Sequence, residues 1–344
     1  MALNGERLNS DQAITLFQER DILKLGKIAD AIRVRLHPDN IVTYIIDRNI
    51  NYTNVCISKC KFCAFYKNID SKDAYLLSWE ELRDKIEETI KSGGTQILMQ
   101  GGLHPEFKIE YYEEMLRKIK TAFPKIHIHG FSPPEIVHFA TKSRLSIDTT
   151  LIRLIESGLD SMPGGGAEIL VDKIRKHLSP NKCSSAQWLQ VMRTAHKLGI
   201  KTTATMMFGH IESIADRARH LLKIRDLQDE TGGFTAFIPW TYQPQNTQLQ
   251  GNEIGGYEYL KTLAISRIVL HNFKNIQASW VTQGPKIGQV ALTFGANDMG
   301  STMLEENVVR AAGVEYHLTT QEIINLIKNA GFIPKQRDTF YNRK

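Results

Sequence analysis

The segment Cys56-Ile57-Ser58-Lys59-Cys60-Lys61-Phe62-Cys63 carries three of the chain's four cysteines, with the spacing C-x3-C-x2-C. Thiolates are soft ligands that select zinc, copper(I) or iron–sulfur clusters. A closed structural zinc site needs four protein ligands, whereas three thiolates on one loop suit a four-iron cluster in which one iron has no protein ligand. The segment therefore predicts a cluster whose open iron can bind a substrate or cosubstrate.

A zinc site is the alternative interpretation of these cysteines. It needs a fourth ligand, and no histidine lies between Lys67 and Leu103 to provide one locally. Cys183 is remote in the sequence, so only the fold can bring it to the loop. We interpret Cys183 as a partly buried free thiol.

The composition is typical of a folded enzyme. The 344 residues, 42% of them hydrophobic, can form one large domain or two ordinary ones. No apolar run approaches the roughly 20 residues that span a bilayer, and the N-terminus lacks the pattern of a secretory signal. Few cysteines, clustered on one segment, favour a reducing compartment, so we expect a cytoplasmic protein. The net charge of +6 is spread along the chain, which argues against nucleic acid as a partner but is compatible with an anionic small molecule.

Strand and helix patterns alternate along the chain. Val42 to Ile50 is rich in β-branched residues and predicts a first strand, after which the cysteine segment follows directly. Regular alternation predicts parallel β/α units, so we expect an α/β fold, namely a TIM-type (β/α)8 barrel with N- and C-terminal helical additions. An open Rossmann-like sheet is the competitor, but no G-x-G-x-x-G follows the first strand. The other seven strands are predicted at 95–99, 126–131, 159–162, 201–208, 235–239, 276–281 and 294–298.

Three regions are expected in the chain. Residues 1–40 are predicted to form a helical extension, 41–310 the barrel, and 311–344 a C-terminal helix and tail that pack on the barrel. A capping box at Thr319–Glu322 predicts the start of that last helix, and another at Ser78–Glu81 predicts the start of the helix that follows the cysteine segment.

Unusual sequences follow several of the predicted strands, at the end of the barrel where active sites lie. Gly101-Gly102 follows the second strand, and glycine permits close backbone approach to a ligand; a simple turn is the alternative. Glu168 follows three glycines after the fourth strand, and its carboxylate suits the two hydroxyls of a ribose; a surface glutamate is the alternative. Polar residues that could handle a proton near the barrel mouth are Ser132, Glu135, His104, His129 and Asp298.

With Phe62 before the last cysteine, the cysteine segment resembles the radical S-adenosylmethionine (SAM) superfamily. The resemblance implies a [4Fe-4S] cluster whose open iron binds SAM, and one-electron cleavage of SAM to a 5′-deoxyadenosyl radical. It implies that Cys56, Cys60 and Cys63 bind the cluster. It implies further that Phe62, Gly101, Gly102, Ser132, Glu168 and Glu212 bind SAM, and we take Glu135, His104 and Asp298 as the catalytic candidates.

Residues 10–340 resemble the menaquinone and deazaflavin branch of this superfamily, notably at Asn51–Tyr66 and at Phe294–Thr302. Within that branch, His129–Glu135, Ser161–Glu168 and Gln277–Gly284 resemble the dehypoxanthine futalosine cyclases. That resemblance implies cyclisation of dehypoxanthine futalosine, with release of 5′-deoxyadenosine and methionine, on the futalosine route to menaquinone. It also implies an external one-electron donor of the flavodoxin or ferredoxin type. Three alternatives stay open: an aminofutalosine synthase, a subunit of deazaflavin (FO) synthase, and a non-catalytic zinc-binding barrel protein.

Overall fold

The computed structural model describes residues 6–344; the first five residues of the predicted N-terminal extension lie outside the described residues. The helices are α1 (Ser10–Gln18), α2 (Ile22–Leu36), α3 (Trp79–Lys91), α4 (Ile109–Ala122), α5 (Pro133–Ser143), α6 (Ile147–Glu156), α7 (Asp172–Leu178), α8 (Ser185–Lys197), α9 (Ile214–Thr231), α10 (Gly256–Val269), α11 (Trp280–Ala291), α12 (Val308–Ala311) and α13 (Thr320–Asn329). The strands are β1 (Ile41–Ile45), β2 (Asp47–Asn51), β3 (Gln96–Gln100), β4 (His127–Gly130), β5 (Ser161–Met162), β6 (Lys201–Phe208), β7 (Phe234–Thr241), β8 (Asn275–Ile276), β9 (Asp298–Ser301) and β10 (Ile333–Gln336).

Parallel strands form the centre of the molecule. Seven of them make one sheet in the order β2-β3-β4-β5-β6-β7-β8. Strands β1 and β2 follow one path, separated only by Ile46. Strand β9 pairs in parallel with β1 and lies beside the end of β8 through a bridge between Gln277 and Asp298. These contacts connect the two ends of the sheet, and the predicted TIM-type (β/α) barrel is confirmed.

The sequence explains why the surrounding helices begin where they do. At Ser78 and Thr319, the predicted capping boxes are present, because each side chain accepts a hydrogen bond from the N–H three residues later. Helix α4 shows how the outer helices pack: its buried face carries Tyr112, Leu116 and Ile119, at the three- and four-residue spacing of an amphipathic helix.

Two predicted strands near the C-terminus were wrong in their bounds. The strand predicted at 276–281 ends at Ile276, and helix α11 begins at Trp280. The helix is kinked at Gly284, where φ is 78°, just before Pro285. Beyond the kink, a Cβ at Gly288 would lie 2.6 Å from the Cβ of Trp280, so the two halves of the helix pack closely. The segment predicted as a strand at 294–298 is mostly a turn, in which the N–H groups of Phe294 and Ala296 donate to the carbonyl of Ala291. Strand β9 therefore starts only at Asp298.

The N-terminal helices and the C-terminal segment cover different parts of the barrel. Helix α2 packs against α10, and α1 against α9 and α10. Strand β10, which the sequence did not predict, pairs in parallel with the outer edge of β1. Beyond it, the chain crosses the N-terminal end of the barrel, where the Thr339 hydroxyl donates to the side-chain carbonyl of Gln96 at the start of β3.

Alternate residues of the strands face the inside of the barrel, as the period of two requires. They line a cavity of about 280 Å³. The inward residues include Asp47 and Asn49 on β2, Gln96, Leu98 and Gln100 on β3, Thr203 and Thr205 on β6, and Ile238 and Trp240 on β7. One part of the wall is thus strongly polar and another is apolar.

Candidate active site

The cysteine loop follows β2 and lies at the C-terminal end of the barrel. Backbone hydrogen bonds connect it to neighbouring segments: the N–H of Ile57 donates to the carbonyl of Leu103, just after β3, and the N–H of Lys61 to that of Leu178, the last residue of α7. Both bonds are 3.0 Å or shorter. The loop is therefore held in place by segments from two other β/α units.

The three thiols differ in exposure. Cys60 is 6% exposed, and its Sγ lies 3.2 Å from the Ser58 Oγ, whereas Cys56 and Cys63 are partly exposed. Burial raises the pKa of Cys56, and burial together with the charge of Cys60 raises the pKa of Cys63 to about 11. Because metals bind thiolates, cluster binding must release protons from these thiols.

No three histidine, cysteine, aspartate or glutamate side chains within residues 6–344 are grouped so that they could hold a single metal ion. In an iron–sulfur cluster each thiolate binds a different iron atom, so such a cluster does not need the three thiols to be grouped around one ion.

A buried group of charges lies against the cysteine loop. The Lys182 Nζ donates to the Glu168 carboxylate at 3.0 Å and lies 5.3 Å from the centroid of the Phe62 ring. Burial by itself would lower the pKa of Lys182, but the charges of Cys60 and Glu168 more than offset this and raise it. Arg175 donates to the same carboxylate at 3.4 Å. The loop thus has a permanent cation beside Cys60.

Glu168 lies close to the cysteine loop, as its predicted role requires. Its backbone has φ of 40°, a left-handed conformation that is rare for residues other than glycine. Arg175 stabilises this conformation by donating to the carbonyl of Ala167 at 2.5 Å. Since the carboxylate is already paired with Lys182 and Arg175, binding of a ribose by Glu168 stays a prediction.

The glycine pair after β3 packs directly against the cysteine loop. A Cβ on Gly102 would lie 2.1 Å from the Val55 carbonyl oxygen and 2.9 Å from the Cys56 Cβ, and one on Gly101 would lie 2.4 Å from the Tyr52 ring. Only glycine allows this close approach. The packing accounts for both glycines, and their contact with SAM stays a prediction.

Glu135 is buried and forms hydrogen bonds with residues that follow three different strands. Its carboxylate accepts hydrogen bonds from the Tyr52 hydroxyl at 2.7 Å, the Gly101 N–H at 3.0 Å, and the Ser132 N–H and Oγ at 2.7 and 2.6 Å. Burial raises its pKa, although the bonds from Ser132 and Tyr52 oppose the shift. Neither Glu135 nor Ser132 lines the cavity, so their roles in catalysis and SAM binding stay predictions.

The other two catalytic candidates are engaged in contacts of their own. The His104 ring stacks on Phe107 with the centroids 3.8 Å apart, and burial lowers its pKa. Asp298 is 0% exposed and accepts from Nε and Nη2 of Arg337 at 2.6 and 2.9 Å. As the first residue of β9, it lies at the opposite end of the barrel from the cysteines. This placement favours a structural role for Asp298, and its catalytic role stays a prediction.

Glu212 follows β6, and its buried carboxylate accepts hydrogen bonds from backbone groups of the same loop. It accepts from the N–H groups of Gly209 and His210 at 2.6 and 2.9 Å and from the Arg217 Nε at 2.7 Å. Burial alone would raise its pKa, but the hydrogen bond and charge of His210, with the charge of Arg217, lower it to about 2. A contact between Glu212 and SAM stays a prediction.

We expect Glu212→Gln to destabilise the fold in a pH-dependent way. The folded pKa of about 2 lies below the ordinary value of 4.5, so the stabilisation by the ionised carboxylate is present above about pH 4.5 and is lost as the pH falls towards 2. The shift corresponds to about 3 kcal/mol at neutral pH. Urea unfolding of both proteins between pH 7 and pH 3 measures the difference. The control is Glu322→Gln, in an exposed capping box, which should show a much smaller effect. A difference that does not change with pH would contradict the prediction.

The barrel cavity contains polar residues that are not among the predicted site residues. Asp47 and Asn49 face it from β2, and Glu306 from the segment after β9; none of the four cysteines lines it. The available signal for Asp47 and Asn49 was that polar residues occupy alternate positions at the end of the predicted first strand. No comparable signal marked Glu306 or Lys182, because both lie in irregular segments.

Two protein-family models match the chain. The model of the radical SAM superfamily matches residues 50–224, and that of the CofH/MqnC C-terminal region matches residues 231–344. The chain belongs to the radical SAM superfamily. Both the cysteine loop and the adjoining strand ends fall within the first match, so the predicted family is confirmed.

Several curated relatives cover nearly the whole chain. It is 48% identical over 341 residues to cyclic dehypoxanthine futalosine synthase of Halalkalibacterium halodurans, covering 99% of this chain and 92% of the relative. It is 46% identical to the enzyme of the same name from Streptomyces coelicolor, covering 99% and 86%. It is also 45% identical to 5-amino-6-(D-ribitylamino)uracil–L-tyrosine 4-hydroxyphenyl transferase of Archaeoglobus fulgidus, covering 92% of each chain.

Solved structures share the fold at low sequence identity. Methylornithine synthase aligns with a TM-score of 0.73 at 18% identity, covering 97% of this chain and 96% of that one. The FeFe-hydrogenase maturase HydG of Carboxydothermus hydrogenoformans aligns with a TM-score of 0.77 at 17% identity, covering 99% and 79%. Both likenesses support the barrel architecture.

Radical SAM enzymes use a [4Fe-4S] cluster and SAM, and the residues of this chain fit them. Cys56, Cys60 and Cys63 have the family spacing and lie on a loop that the fold holds in place, so they would bind three irons and leave one open for SAM. When bound, the cluster and SAM supply a 5′-deoxyadenosyl radical. The chain itself contributes the position of the loop, the Lys182 cation beside Cys60, and a cavity inside the barrel.

Proposed function

We propose that this chain is a cyclic dehypoxanthine futalosine synthase, which converts dehypoxanthine futalosine into its cyclic product in menaquinone biosynthesis. The observation that carries the proposal is 48% identity to the Halalkalibacterium halodurans enzyme over 99% of this chain. The stretches 129–135, 161–168 and 277–284, which resemble the cyclases, contribute His129, Pro163, Gly165 and Gln277–Thr282 to the cavity wall.

The chemistry of the cavity supports a substrate that combines an aromatic ring with a sugar. Its volume of about 280 Å³ lies near the lower end of the range for small-molecule sites. Ile238, Trp240 and Trp280 provide an apolar wall, while Asp47 and Asn49 provide hydrogen-bond acceptors. In the proposed reaction, one hydrogen atom moves from the substrate to the 5′-deoxyadenosyl radical, which gives 5′-deoxyadenosine, and the substrate radical closes onto the aromatic group. An electron and a proton then leave.

A second candidate function is the 4-hydroxyphenyl transfer performed by the archaeal relatives. The observation in its favour is 45% identity to the Archaeoglobus fulgidus enzyme over 92% of this chain. That similarity is only slightly lower than to the cyclases, so a direct comparison of substrates must decide between the two.

The deciding experiment is an anaerobic assay of the reconstituted enzyme with SAM and a chemical reductant. With dehypoxanthine futalosine, we expect free 5′-deoxyadenosine, methionine and a product lighter than the substrate by two hydrogen atoms, since one hydrogen atom and one proton with an electron are lost. Mass spectrometry measures all three. Turnover of tyrosine with 5-amino-6-(D-ribitylamino)uracil instead would establish the transferase. Absence of free 5′-deoxyadenosine with dehypoxanthine futalosine would also overturn the proposal, because an aminofutalosine synthase joins the radical to its substrate.

The electron donor and the cellular location belong to the same proposal. We infer an external one-electron donor of the flavodoxin or ferredoxin type, because single-electron cleavage of SAM needs such a source. No helix within residues 6–344 is long and apolar enough to cross a membrane. A cytoplasmic location, expected from the cysteine usage, stays a prediction, as does the absence of a nucleic-acid partner.

A further inference from the structure

Asn49 presents an unused hydrogen-bond acceptor to the barrel cavity. It lies in the middle of β2, is 5% exposed and lines the cavity. Its Nδ2 donates to the Glu306 carboxylate at 2.9 Å, while its Oδ1 has no hydrogen-bond partner among the described residues. Leaving a buried amide oxygen unpaired is costly, so a missing donor at this position points to a ligand.

The orientation of the Asn49 amide follows from its neighbour. A carboxylate accepts hydrogen bonds, so only the NH2 side of the amide can face Glu306. The Glu306 carboxylate is itself held in place by the N–H groups of Val308 and Val309, at 2.8 and 3.0 Å. The carbonyl side of Asn49 is therefore held on the other side, where no residue donates to it.

A second carboxylate faces the cavity beside Asn49. Asp47 lies two residues earlier, on the same face of β2, and is 2% exposed. The Ser301 hydroxyl and the Gln96 amide each donate to one of its oxygens, which fixes the side chain and leaves further lone pairs available. The groups that Asp47, Asn49 and Glu306 can offer to a ligand on this wall are thus acceptors.

We infer that Asn49, together with Asp47 and Glu306, forms a subsite for the hydroxyl groups of a pentose. Hydroxyls can donate to an amide oxygen and to carboxylates at once, whereas an anionic part of a ligand offers these acceptors no donor. This inference rests on the proposed function and names the part of the substrate that binds here. The ribose of dehypoxanthine futalosine carries such hydroxyls, and so does the ribityl chain of the transferase substrate.

The position of the subsite gives it a role in the reaction. Strand β2 continues from Asn49 to Asn51 and then into the cysteine loop, so a sugar bound at Asn49 lies on the wall that leads to the cluster ligands. The apolar side chains of Trp240 and Ile238 belong to another part of the cavity and suit the aromatic part of the ligand. Asn49 is therefore a substrate-binding residue that would orient the sugar towards the site of radical formation.

The test compares the affinities of several protein variants for the substrate and its deoxy analogues, under conditions in which no reaction takes place. Dehypoxanthine futalosine and its 2′-deoxy and 3′-deoxy analogues are titrated, by anaerobic calorimetry, into the cluster-loaded enzyme with SAM but without reductant. The proteins are the unaltered enzyme, Asn49→Leu, Asn49→Ser and the control Asn51→Leu. Asn51 is a buried asparagine of the same strand, but its amide donates to the Gln100 carbonyl and its Oδ1 accepts from Asn307.

The unaltered enzyme should bind at least one deoxy analogue about 10- to 100-fold more weakly than the substrate. Both Asn49 variants should bind the substrate as weakly as the unaltered enzyme binds that analogue, and they should bind substrate and analogue equally well. The reason is that the substitution and the missing hydroxyl remove the same hydrogen bond, one from the protein and the other from the ligand. Affinity for SAM should be unchanged, and Asn51→Leu should keep the discrimination.

Equal affinity of the unaltered enzyme for all three ligands would overturn the inference. So would discrimination that persists in both Asn49 variants, or a loss confined to SAM. If the assay yields no cyclic product, the proposed function fails separately. The same comparison with 5-amino-6-(D-ribitylamino)uracil and its deoxyribityl analogues then tests the subsite by itself.

Discussion

Cys60→Ala is expected to reduce the cleavage of SAM to background. Cys60 is the most buried of the three loop thiols, lies beside the Lys182 cation, and would supply one of three protein ligands to the cluster. Without it, the cluster has two thiolates, and the protein cannot hold three irons while presenting the fourth to SAM. Anaerobic iron and sulfide analysis, EPR of the reduced protein and the yield of 5′-deoxyadenosine measure the loss. We expect the same result for Cys56→Ala and Cys63→Ala.

The matched control is Cys183→Ala, the same substitution at the remaining cysteine. Cys183 is buried, its Sγ lies 3.8 Å from Arg175 Nη2, and it is not part of the three-cysteine segment. We expect this variant to keep the iron content and the cleavage of SAM. A protein that keeps cleavage after loss of a loop cysteine, or loses the cluster with Cys183, would refute the assignment of ligands. One zinc and no iron in the unaltered protein would instead support the zinc-binding alternative.

Much of the fold follows from local sequence patterns. The alternation of apolar strands with amphipathic helices predicted the barrel, and capping boxes at Ser78 and Thr319 located helix starts that the structure confirms. The cysteine spacing predicted the ligand type without any structural information. These features depend on residues close together in the sequence, which explains why they could be recognised.

Other features depend on contacts between remote residues. Trp280 lies near the end of the strand predicted at 276–281, yet in the structure it begins helix α11 and packs against Gly288 beyond the kink in that helix. Strand β10 has no buried residue and no apolar alternation, so its pairing with β1 could not be predicted. The unpaired Oδ1 of Asn49 becomes visible only when Glu306, more than 250 residues later in the sequence, is brought beside it.

Asp298 shows how a polar residue near a barrel strand can mislead a functional prediction. In the sequence, Asp298 is a carboxylate at the end of a predicted strand. Its partner Arg337 lies in the C-terminal segment, and only the fold brings it close enough to donate two hydrogen bonds to Asp298. The register of β9 also matters, because it makes Asp298 the first residue of the strand rather than the last. The ion pair between Asp298 and Arg337 therefore connects β9 to the C-terminal segment, and its contribution to stability can be measured.

Arg337→Met should destabilise the fold by about 3–5 kcal/mol, because it leaves the buried Asp298 carboxylate without its cation. For a chain of 344 residues, this corresponds to a fall in Tm of roughly 4–7 °C. Arg337 lies two residues before Thr339, whose hydrogen bond to Gln96 holds the C-terminal segment across the N-terminal end of the barrel. Loss of the Arg337–Asp298 pair should therefore make this segment, which lines the cavity, more mobile. Calorimetry measures the Tm, and hydrogen exchange of residues 333–341 measures the loosening.

The chain offers a matched control within the same segment. Arg343 pairs with Asp39 at the surface, with side chains 39% and 38% exposed, and Arg343→Met should cost less than about 1 kcal/mol, since solvent screens exposed pairs. The double variant Arg337→Met/Asp298→Asn should recover much of the lost stability. It removes the buried Asp298 charge, which the single variant leaves without a cation. If the double variant is instead as unstable as the sum of the two single variants, the carboxylate and guanidinium act independently, and the pair does not lock the tail to β9.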